Sequence, residues 1–233
     1  MHDNAVRIAH DLMQECRDVN IVYSDPDPDL TLDVRCRLIR RPNELFWEDK
    51  FKAALDASGD KPMLVIHADC HCQDWSALAS RCTKTHAVMA DLGVWAPNIQ
   101  GTPYGLSVSA LMRLKNTDWY ISALTDGIVF SLAPSMIDRM RKVTYGSNPL
   151  GWGIDLLFCS AAHVGNSVVV IDDAIKVYHP QQTGYDTRIA RQSMEVFMKN
   201  FTLRERVQCE LLRSYVNGNH MRHKLRQRGA VRQ

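Results

Sequence analysis

Five side chains able to ligate a metal crowd into residues 67–72: His67, Asp69, Cys70, His71 and Cys72. They follow directly on the apolar run PMLVI, residues 62–66. Side chains of a strand alternate between its faces, so a strand through this stretch sets His67, Asp69 and His71 on one face and Cys70 and Cys72 on the other. That split argues against a single structural zinc site, which usually joins two ligand pairs. No second pair occurs in the sequence. Cys70-His71-Cys72 has one intervening residue, where a thioredoxin-like redox site has two. Two readings remain open. One is a strand end with buried cysteines and a histidine bonded to backbone. The other is a divalent-metal loop using Asp69 with one or two histidines.

A second constellation lies in NPLGWGIDLLFC, residues 148–159. Gly151 and Gly153 allow backbone to approach a ligand closely. Trp152 offers a flat apolar surface suited to a sugar ring. Asp155 falls in the first turn of a predicted helix, where the helix dipole favours the ionised carboxylate. It can then act as general base toward a hydroxyl, or it is a capping Asp beside a packed Trp. His179 precedes Pro180 at a predicted strand end. Alone it is a structural histidine; if it converges with Asp69 it is a further ligand.

The elements that must position these residues alternate between helix and strand. Asp3 or Asn4 caps a helix through Cys16, and strands are predicted at VNIVYSD and VRCRLI, separated by a loop holding PDPD. A helix runs from Asn43 to near Gly59. KPMLVIH is apolar throughout, as in a strand covered on both faces. Residues 74–93 read as helix, 96–105 as loop, and 118–132 as containing a strand. A helix with Pro134 in its first turn follows, then a helix closed by Gly165. Residues 166–179 read as strand, turn, strand, and residues 185–201 as an amphipathic helix. Such alternation predicts an α/β chain with a largely parallel sheet. In such sheets ligands bind beyond the carboxyl ends of the strands. The polar clusters Asp25–Asp29, His67–Asp74 and Thr125–Asp126 all follow strands and are placed to line one crevice.

Composition sets the class. The chain has 233 residues, 45% of them apolar and 23% charged, as in a globular protein with a sizeable core. A formal charge of +2 gives no general attraction to nucleic acid or membrane. The seven cysteines are an odd number, and neither a leader-like segment nor a membrane-length apolar run occurs, so a reduced, cytoplasmic protein is expected. From Arg204 onward the chain is rich in Arg and Lys. That segment is either a solvated tail or a peripheral contact with anionic lipid or another polyanion.

The order of these pieces is similar to that of nucleotide-sugar-dependent glycosyltransferases of the GT-A fold. Gly151-Trp152-Gly153-Ile154-Asp155 resembles the W-G-W-G-x-E-D type motif of their galactosyltransferase-like branch, and Trp119 to Tyr185 resembles glycosyltransferase-like domains carrying HGWGLD. The likeness spans Asn20 to Phe201. It implies a Rossmann-like GT-A domain over residues 1–201, with a mostly parallel central sheet, and a short basic helical extension over 202–233. The family opens with a strand lining the nucleotide pocket, whereas a helix is predicted here.

The same resemblance implies roles. The family's D-x-D slot reads His67-Ala68-Asp69, so His67 and Asp69 would hold a divalent metal on the donor diphosphate, joined by His179. Asp25 and Asp27 would contact the nucleotide. Asp126, Gly151, Trp152 and Gly153 would line the acceptor, and Asp155 would be the base of an inverting hexosyl transfer. One carboxylate with imidazoles suits manganese or zinc better than magnesium, and manganese is the expected ion with magnesium as the alternative. The partners would be a nucleotide-sugar donor and a carbohydrate or glycoconjugate acceptor, as in polysaccharide biosynthesis. The competing readings are a non-catalytic domain of this fold that binds sugar or a partner, and a zinc-dependent hydrolase.

Overall fold

The structure is a computed structural model that describes residues 2–27, 29–180 and 185–230, the last four by backbone alone. Helix α1 (His2–Leu12) ends earlier than expected and buries Ile8 and Ala9. Strands β1 (Asn20–Tyr23) and β2 (Arg37–Arg40) pair in parallel as a separate small sheet. Its core is built from Ala9, Ile21 and Tyr23. Helix α2 (Trp47–Ala57) begins after the predicted Asn43 and buries Glu48, Phe51 and Leu55.

The main sheet has seven strands in the order β3 (Met63–Ile66), β8 (Val129–Leu132), β5 (Leu92–Gln100), β9 (Val168–Tyr178), β7 (Trp119–Ser122) and β6 (Ala110–Arg113), with β4 (His71–Cys72) joined to the end of β9. The chain is thus α/β, as expected. Strands β3, β5, β6 and β9 share one direction, and β4, β7 and β8 oppose them. Most strands therefore run the same way, but β5 and β9 are the parallel neighbours and the other ladders of this sheet are antiparallel. The last strand made, β9, lies in the middle of the sheet between β5 and β7.

Two predicted breaks are strand instead. The first half of the predicted loop at residues 96–105 is β5, which continues to Gln100. Pro97 has no N–H for a ladder, and a register shift between Pro97 and Asn98 accommodates it. The predicted turn in 166–179 is a bulge within one long strand: Pro97 pairs with Asp172, and the next residue, Asn98, pairs with Lys176. Residues 118–132, read as containing one strand, hold both β7 and β8.

Successive sheet residues feed opposite cores. Phe130, Val94 and Val169 face α2, α5 (Pro134–Arg141) and α6 (Ile154–Val164). Val129, Trp95 and Val170 face α3 (Trp75–Val88). Two-sided burial explains why these strands are apolar runs without alternation. Helix α3 is capped by Asp74, whose side chain accepts from the Ala77 N–H at 2.8 Å. After the short helix α4 (Leu106–Ser109) and the later α7 (Thr187–Phe197), the C-terminal extension is helical as expected. It forms the 28-residue α8 (Leu203–Ala230). Thr202 and Glu205 make a capping box, with Thr202 N donating to Glu205 at 2.7 Å and Glu205 N donating to Thr202 at 3.3 Å. Arg139 of α5 adds two bonds to the Glu205 carboxylate, at 2.7 and 2.8 Å. Cys209, Leu212 and Val216 of α8 belong to the same core as α6. Among the described residues, no helix is long and apolar enough to cross a membrane.

Candidate functional site

Strand β3 stops at Ile66, and a turn closed by Cys70 N–H to His67 C=O at 3.2 Å carries residues 67–70. Alternation therefore fails across this stretch. His67 and Asp69 bring ligand atoms within 4.8 Å of each other, while Cys70 is buried in the α3-side core and Cys72 packs beside that core. His71 does not share their site: it is exposed on β4, paired with Tyr178 and stacked on its ring. That same pairing delivers His179. Because β4 runs antiparallel to the end of β9, the residue after Tyr178 arrives beside the turn. His179 Nε2 lies 3.1 Å from Asp69 Oδ2.

One ligand atom each from His67, Asp69 and His179 lie within 4.8 Å of one another, all three side chains half-buried. Burial lowers His67 to about 4, so its imidazole is neutral. Its Nε2 is buried with no hydrogen-bond partner among the described residues, the kind of orphaned atom that a bound cation satisfies. The donor set is therefore one that fits a divalent ion.

Two carboxylates lie beside the cluster. Asp126 sits between β7 and β8, where the His67 N–H donates to the Ile128 carbonyl at 3.0 Å and ties the turn to this segment. Thr102, two residues past the end of β5, donates its hydroxyl to Asp126 at 2.5 Å. Burial raises the Asp126 carboxyl, opposed by that bond and by the nearby charge of His179. Asp155 stands in the first turn of α6, close enough that a methyl group on Gly127 would lie 3.5 Å from its Cβ. Its Oδ1 accepts from Leu156 N–H at 2.9 Å. The helix dipole was expected to favour its ionised form. Desolvation and the Asp126 charge outweigh the backbone N–H groups and push Asp155 up to about 7. It still keeps part of its surface open to solvent.

The two glycines before Asp155 serve packing. Gly151 has φ +72°, and a Cβ there would lie 2.1 Å from the Trp47 indole. Gly153, at φ +91°, forms the N-cap of α6 and faces Met194 of α7. Trp47 in turn meets the His67 ring edge-on, centroids 4.1 Å apart. Next to it, buried Glu48 accepts from the Gly146 and Asn148 N–H groups at 2.8 and 3.0 Å, and Asn148 donates to the Trp152 carbonyl at 2.7 Å. Trp152 is half-buried, its indole N–H bonded to the Tyr185 hydroxyl at 2.9 Å.

Asp25 and Asp27 stand apart from the ligand cluster. Their carboxylates close local turns, each accepting the N–H two residues on, at 2.8 and 2.9 Å. Helix α1 links Asp25 to the turn at 67–70. Its His2 lies 3.5 Å from Asp25, and its Asn4 donates to the carbonyls of Ala68 and Cys70 at 2.5 and 3.1 Å. Sequence reasoning missed Thr102, which fell in a presumed loop, and Trp47 and Glu48, which looked like ordinary helix residues.

The cluster thus lies at the carboxyl ends of β3 and β9 and at the β7–β8 connection, with Thr102 beyond β5 and the first turn of α6 beside it. No family model matches the chain, and no curated protein matches it. Among solved structures, GalNAc-T7 with UDP, GalNAc and Mn2+ is similar with a TM-score of 0.51 and 11% identity, over 70% of this chain and 36% of that one. Apo UDP-glucose pyrophosphorylase gives a TM-score of 0.48 and 13% identity, over 84% and 85% of the two chains. At these identities the likeness is one of fold. The chain thus has an α/β fold of the Rossmann-like GT-A kind.

Proposed function

We propose that the chain transfers a sugar from a nucleoside-diphosphate donor to an acceptor hydroxyl. The observation that carries this reading is the convergence of His67, Asp69 and His179 with Asp126 and Asp155 at the strand ends. His67, Asp69 and His179 would hold a divalent ion, manganese by the character of the donors. Such an ion supplies positive charge to a diphosphate leaving group.

Asp155 takes the proton. As the acceptor oxygen attacks the anomeric carbon, its O–H bond breaks, a C–O bond forms, and the bond to the diphosphate breaks with its electron pair leaving on phosphate. The proton passes to Asp155, whose value near 7 lies close to the working range, where general bases are most efficient. Attack from the side opposite the leaving group inverts the anomeric carbon. Thr102 and Asp126 orient the wall beside the base. Trp152, half-buried, would face the acceptor with Gly151 and Gly153 packing behind it, and Asp25 and Asp27, on a loop tied to α1 through His2, would contact the nucleotide.

The test is a thermal-shift panel of nucleotide sugars with and without manganese, followed by transfer assays. Nucleotide with manganese raises Tm at millimolar ligand, because a ligand bound only to the native state stabilises it. Asp155→Asn binds nucleotide normally and loses transfer by at least about 100-fold. Full transfer activity in Asp155→Asn would remove the base assignment. Absence of any nucleotide-dependent shift would favour the non-catalytic reading.

A further inference from the structure

Helix α8 has two apolar faces, and only one is used. Cys209, Leu212 and Val216 turn inward to the core. On the opposite side Leu203, Val207, Leu211, Met221 and Leu225 are 54% to 78% exposed. At about 100° per residue these five fall within an arc of about 80°, in two groups separated by exposed Ser214 and Gly218. Apolar exposure repeated along one helix face marks an interaction surface.

The charges beside the stripe identify the occupant. Arg204 and Arg222 flank one edge, and Arg206 and Lys224 the other, by their helical positions. Of the acidic residues on α8, Glu205 is buried against Arg139 and Glu210 pairs with Arg213 at 3.0 Å. Basic side chains at both edges of an apolar stripe match a bilayer interface: the stripe enters the acyl boundary and the cations meet anionic headgroups. A second copy of the same helix would oppose this basic surface with one of like sign, leaving Glu210 as the acidic residue beside the stripe.

The inner side of α8 holds the active-site wall. Tyr215, Asn219, His220 and His223 bond to the carbonyls of Ala110, Val108, Pro103 and Ser107 at 2.6, 2.8, 2.7 and 3.2 Å. This is the segment that follows Thr102, the partner of Asp126. A surface bound on the outer face therefore lies one helix diameter, about 10–12 Å, from that wall.

We propose that the outer face of α8 seats the protein on an anionic lipid surface. The test uses the full chain with vesicles of phosphatidylcholine alone or with 30% phosphatidylserine, read by flotation and by sedimentation velocity without lipid. The wild type floats with the anionic vesicles, releases at high salt, and stays behind with neutral ones. Leu211→Glu with Leu225→Glu lowers anionic-vesicle binding at least 10-fold while Tm is unchanged, because both side chains are exposed. Arg222→Gln with Lys224→Gln weakens binding and flattens its salt dependence. A wild type that floats with neither vesicle overturns the proposal, as does a double glutamate variant that floats as well as wild type. A dimer that the glutamates dissociate, without vesicle binding, assigns the stripe to a second copy instead.

Discussion

Asp155 and Asp69 are acidic residues of one cluster with different surroundings. Asp69 faces two imidazoles, whereas Asp155 is crowded by protein and by Asp126 and is pushed up to about 7. Transfer should therefore rise with pH and level off above about 7, read as the pH profile of kcat/KM. The same burial has a cost to the fold. The native state holds the Asp155 proton more tightly than the unfolded chain, so this residue's contribution to stability falls as pH rises from its unfolded range near 4 through 7. Asp155→Asn is accordingly more stable than wild type at pH 8, and the gain vanishes near pH 4, measured by Tm. For the ligand set, Asp69→Asn abolishes the manganese-dependent Tm shift and leaves the metal-free Tm nearly unchanged. The ligand candidates were legible from residue type alone. Thr102 and Trp47 were not, because their meaning depends on what the sheet sets beside them.

At the scale of elements, the GWG stretch is a hinge of packing between two helices. Gly151 admits the Trp47 indole of α2, and that indole supports His67. Gly151→Ala combines a left-handed backbone with a clash, and should destabilise by about 2 kcal/mol or more, seen as a lower denaturation midpoint. The loss should reach the His67 ligand set too, as a weaker manganese shift in the fraction still folded. Helices α3, α5 and α6 could be read from capping, proline and glycine signals, which are local. Strand β5 could not, since Pro97 and Gly101 signal a loop. The bulge that admits Pro97 exists because β9 offers extra residues across from it. Tertiary pairing overrode local propensity there.

The whole molecule depends on its last helix more than composition suggests. Residues 202–233 read as a basic extension, yet α8 completes the core around α6 and clamps the 103–110 segment. A chain stopped at residue 202 should lose cooperative unfolding and the nucleotide response together, checked by thermal melting of the purified product. The alternation of helix and strand gave the α/β class correctly, because local pattern reports it. The mixed strand directions were hidden, since no short window encodes which strand lies beside which.

The position of β9 also bears on how the protein is made. When residues 1–166 have emerged from the ribosome, β5 and β7 exist but the strand that joins them does not. Both then present open hydrogen-bonding edges to the crowded cell, the kind of surface that pairs with other chains. The sheet closes after residue 178, and His179, the partner of Asp69, is the next residue added. Synthesis that stalls within α6 leaves an aggregation-prone half-sheet, whereas synthesis past β9 delivers the closing strand and His179 together.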